Sequence, residues 1–238
     1  MHDLIFKNTG YCAICEAEAC FVAHNEWLRD YYVCTKCGSI PRQRALVTVL
    51  KYICPDYCSK AVHESSPVMS YFEKKCDNYS FSHYLEDVPL GSCRNGIRSE
   101  NLEAMTFDDN HFDIFITQDV LEHVMNPKAA FREIMRVLAA DGVHIFTIPQ
   151  KKDLERSFAR ATCIDSEVHY IKEPDYHINP IGDGRSLVTW DYGRDFEELV
   201  SAWSGYQVST YTIRDRSLGI DGEHLEVFSI KKNRNNAV

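Results

Sequence analysis

The sequence predicts an α/β domain built on a mostly parallel sheet, preceded by a small metal-binding module. Two observations carry this. From about residue 60 onward, short apolar runs alternate with segments whose apolar positions recur every three to four residues. Strands of that kind are buried on both faces, and the intervening helices cover them. Before residue 40 the pattern differs: five of the ten cysteines fall within the first 37 residues.

Those cysteines have an informative spacing. Two residues separate Cys12 from Cys15 and Cys34 from Cys37, with eighteen residues between the pairs. A two-residue gap lets both thiolates of a tight turn face one ion, and two such turns complete a tetrahedral sulfur site that zinc accepts. Gly38 follows the second pair, where such a turn often needs positive φ. Four protein sulfurs leave the ion no open position, so its expected role is structural. Cys20 is spare and reads as a small hydrophobe.

Residues 1–40 are therefore expected to form a zinc-ribbon-like module with four cysteine ligands, and residues 41–58 a linking helix. Pro41 opens that helix, Ala45, Leu46, Val49, Leu50 and Ile53 share one face, and Pro55 ends it. The main domain, 59–238, begins with a strand at 61–64, a helix at 68–76 and a strand at 79–84. The strand at 113–117 is strongly apolar. The helix at 127–138 turns Ala130, Ile134, Val137 and Leu138 inward. Asp141 and Gly142 make the turn into a strand at 143–148, stopped by Pro149. A helix at 195–203 and strands at 208–213 and 225–230 complete the pattern, the last two expected as a terminal hairpin. The connection at about 150–192 is far longer than ordinary loops need.

Composition excludes several function classes. With 26 Lys+Arg against 35 Asp+Glu, the net charge of −9 argues against a nonspecific phosphate-backbone binder. Residues 1–60 hold seven basic and six acidic side chains, which is no basic stripe for nucleic acid. No apolar run approaches the roughly 18–20 residues of a membrane span. The opening MHDLIFKNTG lacks a secretory pattern, so a cytoplasmic protein with reduced thiols is expected.

The segment from Asn101 to Val124 contains Phe112-Asp-Ile-Phe-Ile-Thr-Gln-Asp-Val-Leu-Glu-His-Val124. Asn126-Pro127, Phe131-Arg-Glu-Ile134, Arg136-Val-Leu138 and Asp141-Gly142 follow it. Over about residues 99–149 this resembles class I S-adenosylmethionine-dependent methyltransferases of the type 11 kind, here with a zinc-ribbon-like leader. The resemblance implies a Rossmann-like, seven-stranded, mostly parallel sheet, with S-adenosylmethionine at the carboxyl ends of the strands. It assigns the first cofactor loop to Glu64-Ser65-Ser66-Pro67, which keeps the family's acid but replaces its glycines. Ser66 as a helix N-cap before Pro67 is the alternative. At the second strand the ribose contact falls to Glu86 or Asp87, or to Tyr84 or Ser82 in their place. Asn101 and Leu102 match the positions beside the adenine, with a plain surface loop as the competing reading.

Gln118 and Asp119 are expected at the mouth of the site. Asp119 also fits a helix-start box with Glu122 reaching back, and Glu122 and His123 read as structural. The 150–192 insertion, with Tyr176, His177 and Trp190, lies where such enzymes bind their acceptors. The expected activity is methylation, on oxygen, of a small molecule or glycan, with His177 or Asp119 as general base. Two alternatives remain open: a protein or RNA acceptor presented by the zinc module, and a non-catalytic interaction protein with a methyltransferase-like fold. The sequence leaves the oligomeric state open.

Overall fold

The computed structural model describes residues 4–165, 167–178 and 184–233. The chain opens with a three-stranded antiparallel sheet of β1 (Phe6–Cys12), β2 (Ala17–Ala23) and β3 (Tyr32–Cys34), with one helical turn, α1 (Leu28–Tyr31), before β3. Cys12-x2-Cys15 forms the β1–β2 turn and Cys34-x2-Cys37 follows β3. In each knuckle the residue after the second cysteine has positive φ, Glu16 at 56° and Gly38 at 74°.

Helix α2 (Pro41–Ile53) then crosses to the main sheet. The sheet strands are β4 (Ala61–Ser65), β5 (Asn78–His83), β6 (Cys93–Arg94), β7 (Ile97–Ser99), β8 (Phe112–Gln118) and β9 (Leu138–Thr147). Helices α3 (Tyr71–Lys75) and α4 (Pro127–Val137) lie between them in sequence. Asn126 caps α4 by accepting from the Ala129 amide, and Pro127 sits at N1, where its missing N–H costs nothing. Six short strands follow: β10 (Phe158–Ala159), β11 (Ala161–Ile164), β12 (Glu167–Tyr170), β13 (Tyr176–Ile178), β14 (Arg185–Leu187) and β15 (Trp190–Asp191). They pair as three antiparallel two-stranded units, β10–β15, β11–β12 and β13–β14. Helix α5 (Phe196–Ser204), β16 (Val208–Tyr211) and β17 (Val227–Lys231) end the fold.

The main sheet runs β16-β17-β9-β8-β4-β5-β7-β6. Pairings from β9 through β8, β4 and β5 to β7 are parallel, whereas β17 runs antiparallel to both β9 and β16. Alternate residues line opposite faces. Ile114, Ile116, Ile145 and Val227 pack with Leu46, Val49 and Leu50 of α2, while Phe115, Phe146 and Phe228 pack with Phe131 and Ile134 of α4 and Phe196 of α5.

The α/β class with a mostly parallel sheet is as expected, but the sheet has eight strands and not seven. The extra strand is a two-residue arm, too short for any periodicity to reveal. Its turn, Asn95-Gly96, has φ of 52° and 79° at its two residues, which the Asn-Gly pair favours. The helix expected at 68–76 shrinks to Tyr71–Lys75, because the left-handed Ser66 redirects the chain before it can wind. Ser66 is therefore no N-cap. The turn at Asp141 survives as a bulge inside β9, where the register jumps from the Phe112–Leu138 pair to Ile114–Val143. The expected terminal hairpin of β16 and β17 is present.

Candidate active site at the switch point of the sheet

In an open α/β sheet, ligands bind at the carboxyl ends of the strands, where the strand order reverses direction. Here that point lies between β4 and β8. Glu64 near the end of β4 and Gln118 at the end of β8 meet across it: Gln118 Nε2 donates to Glu64 Oε1 at 2.8 Å, and Tyr79 Oη donates to Glu64 Oε2 at 3.0 Å. Glu64 is fully buried. Burial pushes its carboxyl up to about 7 against the opposing pull of those two hydrogen bonds. Gln118 is also buried, and its Oε1 accepts no hydrogen bond. A buried acceptor in that state asks for a donor.

The loop above Glu64 solves the problem of its missing glycines. Ser66 has φ of 55°, the left-handed conformation that a glycine adopts without cost, and its amide donates to Ser82 O at 2.8 Å. Ser65 is buried beside it. Across β5, a cavity of about 420 Å³ is lined by Tyr84, Glu86, Asp87, Val88, Pro89, Leu90 and Asn101. The structure thus gathers Tyr84 and Asn101 on one wall. Tyr84 is exposed, whereas the Ser82 hydroxyl is taken up by His63 Nε2 at 3.0 Å. Asp87 pairs with Arg94 from the β6–β7 arm at 2.6 Å. Asn101 Oδ1 already accepts from the Glu103 amide at 2.9 Å, and Leu102 is buried in the core against the α4 side of the sheet. A larger cavity, about 600 Å³, includes Asp56, Lys60, Asp113 and Lys231 at the opposite, amino ends of the strands.

Asp119 does not cap the turn that follows it. Its carboxylate instead accepts hydrogen bonds from Arg29 Nη2 at 2.6 Å and the Thr147 hydroxyl at 2.8 Å, and pairs with the charge of Arg42, whose Nε lies 3.2 Å away. Burial would raise its pKa, but the two guanidiniums overcome this and hold it at about 2. A carboxylate so held is a poor base. Sequence reasoning missed Arg29 and Arg42 because both come from the N-terminal region, and nothing local marks their destination.

The insertion builds the other wall. Thr189 donates from its amide to Glu122 O at 2.8 Å and from its hydroxyl to Val124 O at 2.6 Å, and Tyr192 Oη donates to Leu121 O at 2.9 Å. These bonds clamp the single 3-10 turn Leu121–His123 under the insertion. They also bring His177 on β13 next to that turn. Its Nδ1 lies 3.7 Å from Glu122 Oε1, its ring is 5.0 Å from that of His123, and Glu122 raises its pKa above the usual imidazole value. Tyr176 beside it is exposed, with the Arg185 guanidinium 5.1 Å from its ring centre. Trp190 sits apart from this group. It is wedged between Tyr192 and Trp203, with its indole N–H directed at Met125 O. Glu122, expected to reach back to a helix start, makes no hydrogen bond to any described residue through either carboxylate oxygen.

The four cysteines converge as their spacing requires. Cys12 and Cys37 sulfurs are 3.8 Å apart, Cys15 and Cys34 sulfurs 3.7 Å, and all four lie within 4.8 Å of one another. A tetrahedral ion with metal–sulfur bonds of about 2.3 Å separates its sulfurs by about 3.8 Å. Cys20 lies outside the cluster and faces Phe21 O.

A family model described as a methyltransferase domain matches residues 53–146, the stretch from the end of α2 into β9. This is the class I methyltransferase fold. Solved methyltransferase structures superpose on the chain at low identity. An S-adenosylmethionine-dependent methyltransferase from Mesorhizobium loti aligns with a TM-score of 0.51 and 13% identity, covering 79% of this chain and 97% of that one. An amino pentose methyltransferase from Micromonospora echinaspora, involved in calicheamicin biosynthesis and solved with S-adenosylmethionine bound, gives 0.52 and 10%, covering 82% and 93%. The 1,6-didemethyltoxoflavin N1-methyltransferase of Burkholderia thailandensis gives 0.50 and 10%, covering 81% and 78%. No curated protein sequence matches the chain. Among the described residues, no helix of this methyltransferase fold is long and apolar enough to cross a membrane.

Proposed function

We propose that the protein transfers a methyl group from S-adenosylmethionine to an oxygen of a small polar acceptor, such as a sugar or hydroxylated metabolite. The observation that carries this is the Glu64–Gln118 pair at the switch point, with an unpaired buried acceptor on Gln118 beneath a left-handed Ser66. Those features suit a cationic ligand with an amino group. The cofactor supplies an electrophilic methyl carbon on a sulfonium. Ser65, Ser66 and Gln118 hold its methionine end, and Glu64 fixes Gln118 from below. Tyr84, Asn101 and Leu102 form the nucleoside side, where Asn101 offers the second lone pair of an oxygen already engaged by Glu103.

The transfer is an in-line displacement, so the chain's part is to align the acceptor and exclude water. The two hairpins of the insertion and the β10–β15 pair that closes it supply that cover, with Tyr176 at its rim and Trp190 anchoring it. The acceptor hydroxyl gives up its proton as it attacks, and His177, backed by Glu122, is the base we assign. Asp119 is set aside because two guanidiniums keep its charge occupied. A structural zinc ion at Cys12, Cys15, Cys34 and Cys37 belongs to the same reading, with residues 1–40 as its module. The fully buried Arg44 supports it: its hydrogen bonds go to neutral oxygens of Tyr32, Ser39 and Gly219, burial lowers its pKa, and thiolate charge on Cys12, Cys34 and Cys37 would oppose that cost.

Calorimetric titration with S-adenosylmethionine and S-adenosylhomocysteine tests the cofactor site. Micromolar binding to the wild type that weakens in Glu64→Ala is the expected result. A folded, zinc-loaded wild type that binds neither would overturn the reading. It would leave an interaction protein with a methyltransferase fold.

A further inference from the structure

Glu122 carries an unmet requirement. Its side chain is 1% exposed, and neither carboxylate oxygen has a hydrogen-bond partner among the described residues. An ionised carboxylate left so in the interior is costly unless a cation faces it. The Arg29 guanidinium, which comes from the N-terminal module, is spent on Asp119 and on His224 O.

Two imidazoles face Glu122 instead. His123 Nε2 lies 3.8 Å and His177 Nδ1 3.7 Å from Glu122 Oε1, both too long for hydrogen bonds. The tautomer of His123 is fixed from its far side. Nδ1 lies 2.8 Å from Leu187 O, and a carbonyl oxygen only accepts, so Nδ1 carries the proton. In the neutral ring, Nε2 then presents a lone pair toward an anion. Two acceptors facing each other across such a gap lack the positive charge that belongs between them. An imidazole whose other nitrogen donates to a backbone carbonyl is also the usual arrangement around a metal-ligating histidine.

One ligand atom from each of Glu122, His123 and His177 lies within 4.8 Å of the others. We infer that these three side chains form a second metal site, separate from the four cysteines, which binds a divalent transition-metal ion. Two imidazoles and one carboxylate suit Mn²⁺, Fe²⁺ or Zn²⁺ better than they suit Ca²⁺. Three protein donors leave at least one position open, and the cluster lies under the insertion hairpins. The open position takes an oxygen of the acceptor, which narrows the acceptor to a molecule with a metal-binding hydroxyl. With an ion bound, His177 would be a ligand and not the base, and the ion would polarise the acceptor hydroxyl, whose proton would pass to water. This role rests on reading the cluster as the acceptor end of the site, but the binding itself does not.

The test uses full-length, zinc-loaded protein without cofactor or acceptor, titrated with Mn²⁺ and followed by electron paramagnetic resonance and calorimetry. One Mn²⁺ per chain is expected. Glu122→Gln and His177→Ala should each weaken it roughly tenfold or more. Thermal melts without Mn²⁺ check the fold. Because Glu122→Gln removes an unpartnered buried charge, that variant should melt no lower than the wild type. Absence of Mn²⁺ binding in the zinc-loaded wild type, or binding that survives Glu122→Gln unchanged, overturns the inference. Either outcome leaves cofactor binding, and so the transfer reading, to stand or fall on its own titration.

Discussion

Arg29 of the N-terminal module places its Nη2 2.6 Å from Asp119 Oδ2, at the carboxyl end of β8. The module is thereby tied to the residue that follows Gln118. Asp119 itself has φ of 51°, so the chain holds it in an uncommon conformation at the place where Arg42 also reaches it.

Removing that anion leaves two guanidiniums facing each other. Asp119→Asn is expected to destabilise the fold by about 3 kcal/mol, the usual cost of orphaning one side of a buried pair. Urea denaturation measures it. In a double-mutant cycle with Arg29→Met the losses should fall short of additive by about 1 kcal/mol or more. The pH dependence has a definite sign. The folded pKa of about 2 lies below the ordinary carboxyl value of 3.8, so this contribution is complete above about pH 4 and is lost as pH falls toward 2.

Glu64 has the opposite sign. Its folded pKa of about 7 lies above the ordinary 4.5, so its contribution is complete below about pH 4.5 and is lost as pH rises through 7. Glu64→Gln should flatten the stability profile between about pH 5 and pH 8 in denaturant titrations. A bound cationic cofactor should pull the carboxyl back down. Calorimetry at about pH 6.5 in buffers of different ionisation enthalpy is then expected to show proton release on binding, absent in Glu64→Gln.

Ser66 takes a glycine's conformation. Ser66→Gly should be neutral or stabilising by up to about 1 kcal/mol, because relief of left-handed strain is partly offset by the freer unfolded chain. Ser66→Val puts a β-branched residue there and should cost about 2 kcal/mol. Thermal melts and S-adenosylhomocysteine titrations on both variants check this, with affinity kept in the first and reduced in the second.

Metal analysis of purified protein is expected to give one zinc per chain at the four cysteines, counted apart from any ion at Glu122, His123 and His177. Cys12→Ser and Cys34→Ser should lose it and Cys20→Ser should retain it. Loss should also weaken cofactor binding, because the module that carries Arg29, and the start of α2 with Arg42 behind it, no longer hold Asp119 in place.

Local features are legible in the sequence. The cysteine knuckles announce themselves by spacing, and α4 by its Asn126-Pro127 start and apolar face. Four of the five parallel strands follow from apolar runs, and the three-residue β7 is too short to show one. Less can be read wherever the partner is remote. His177 and His123 are more than fifty residues apart and meet only because the insertion folds back over the 3-10 turn. Glu122 resembles a helix cap because its neighbours fit that pattern, and the pattern says nothing about the bonds it fails to make. The helix after β4 reads too long because a positive φ at Ser66 is invisible in a residue that is not glycine. The Asn95-Gly96 turn, by contrast, is a local signal that marks the short arm beyond β5.

Arg44 adds a constraint of order in time. Its Nε donates to Gly219 O at 3.0 Å, 175 residues along the chain, and Gly10 of β1 lies so close to Ser217 that any side chain there would clash with its backbone. The module at the start of the chain therefore cannot complete its interior until residue 219 has emerged from the ribosome. At ordinary synthesis rates that delay is roughly 10 to 35 s. Over that interval the guanidinium lacks its carbonyl, and the four thiols, all within the first 37 residues, are the part of the module that can already come together.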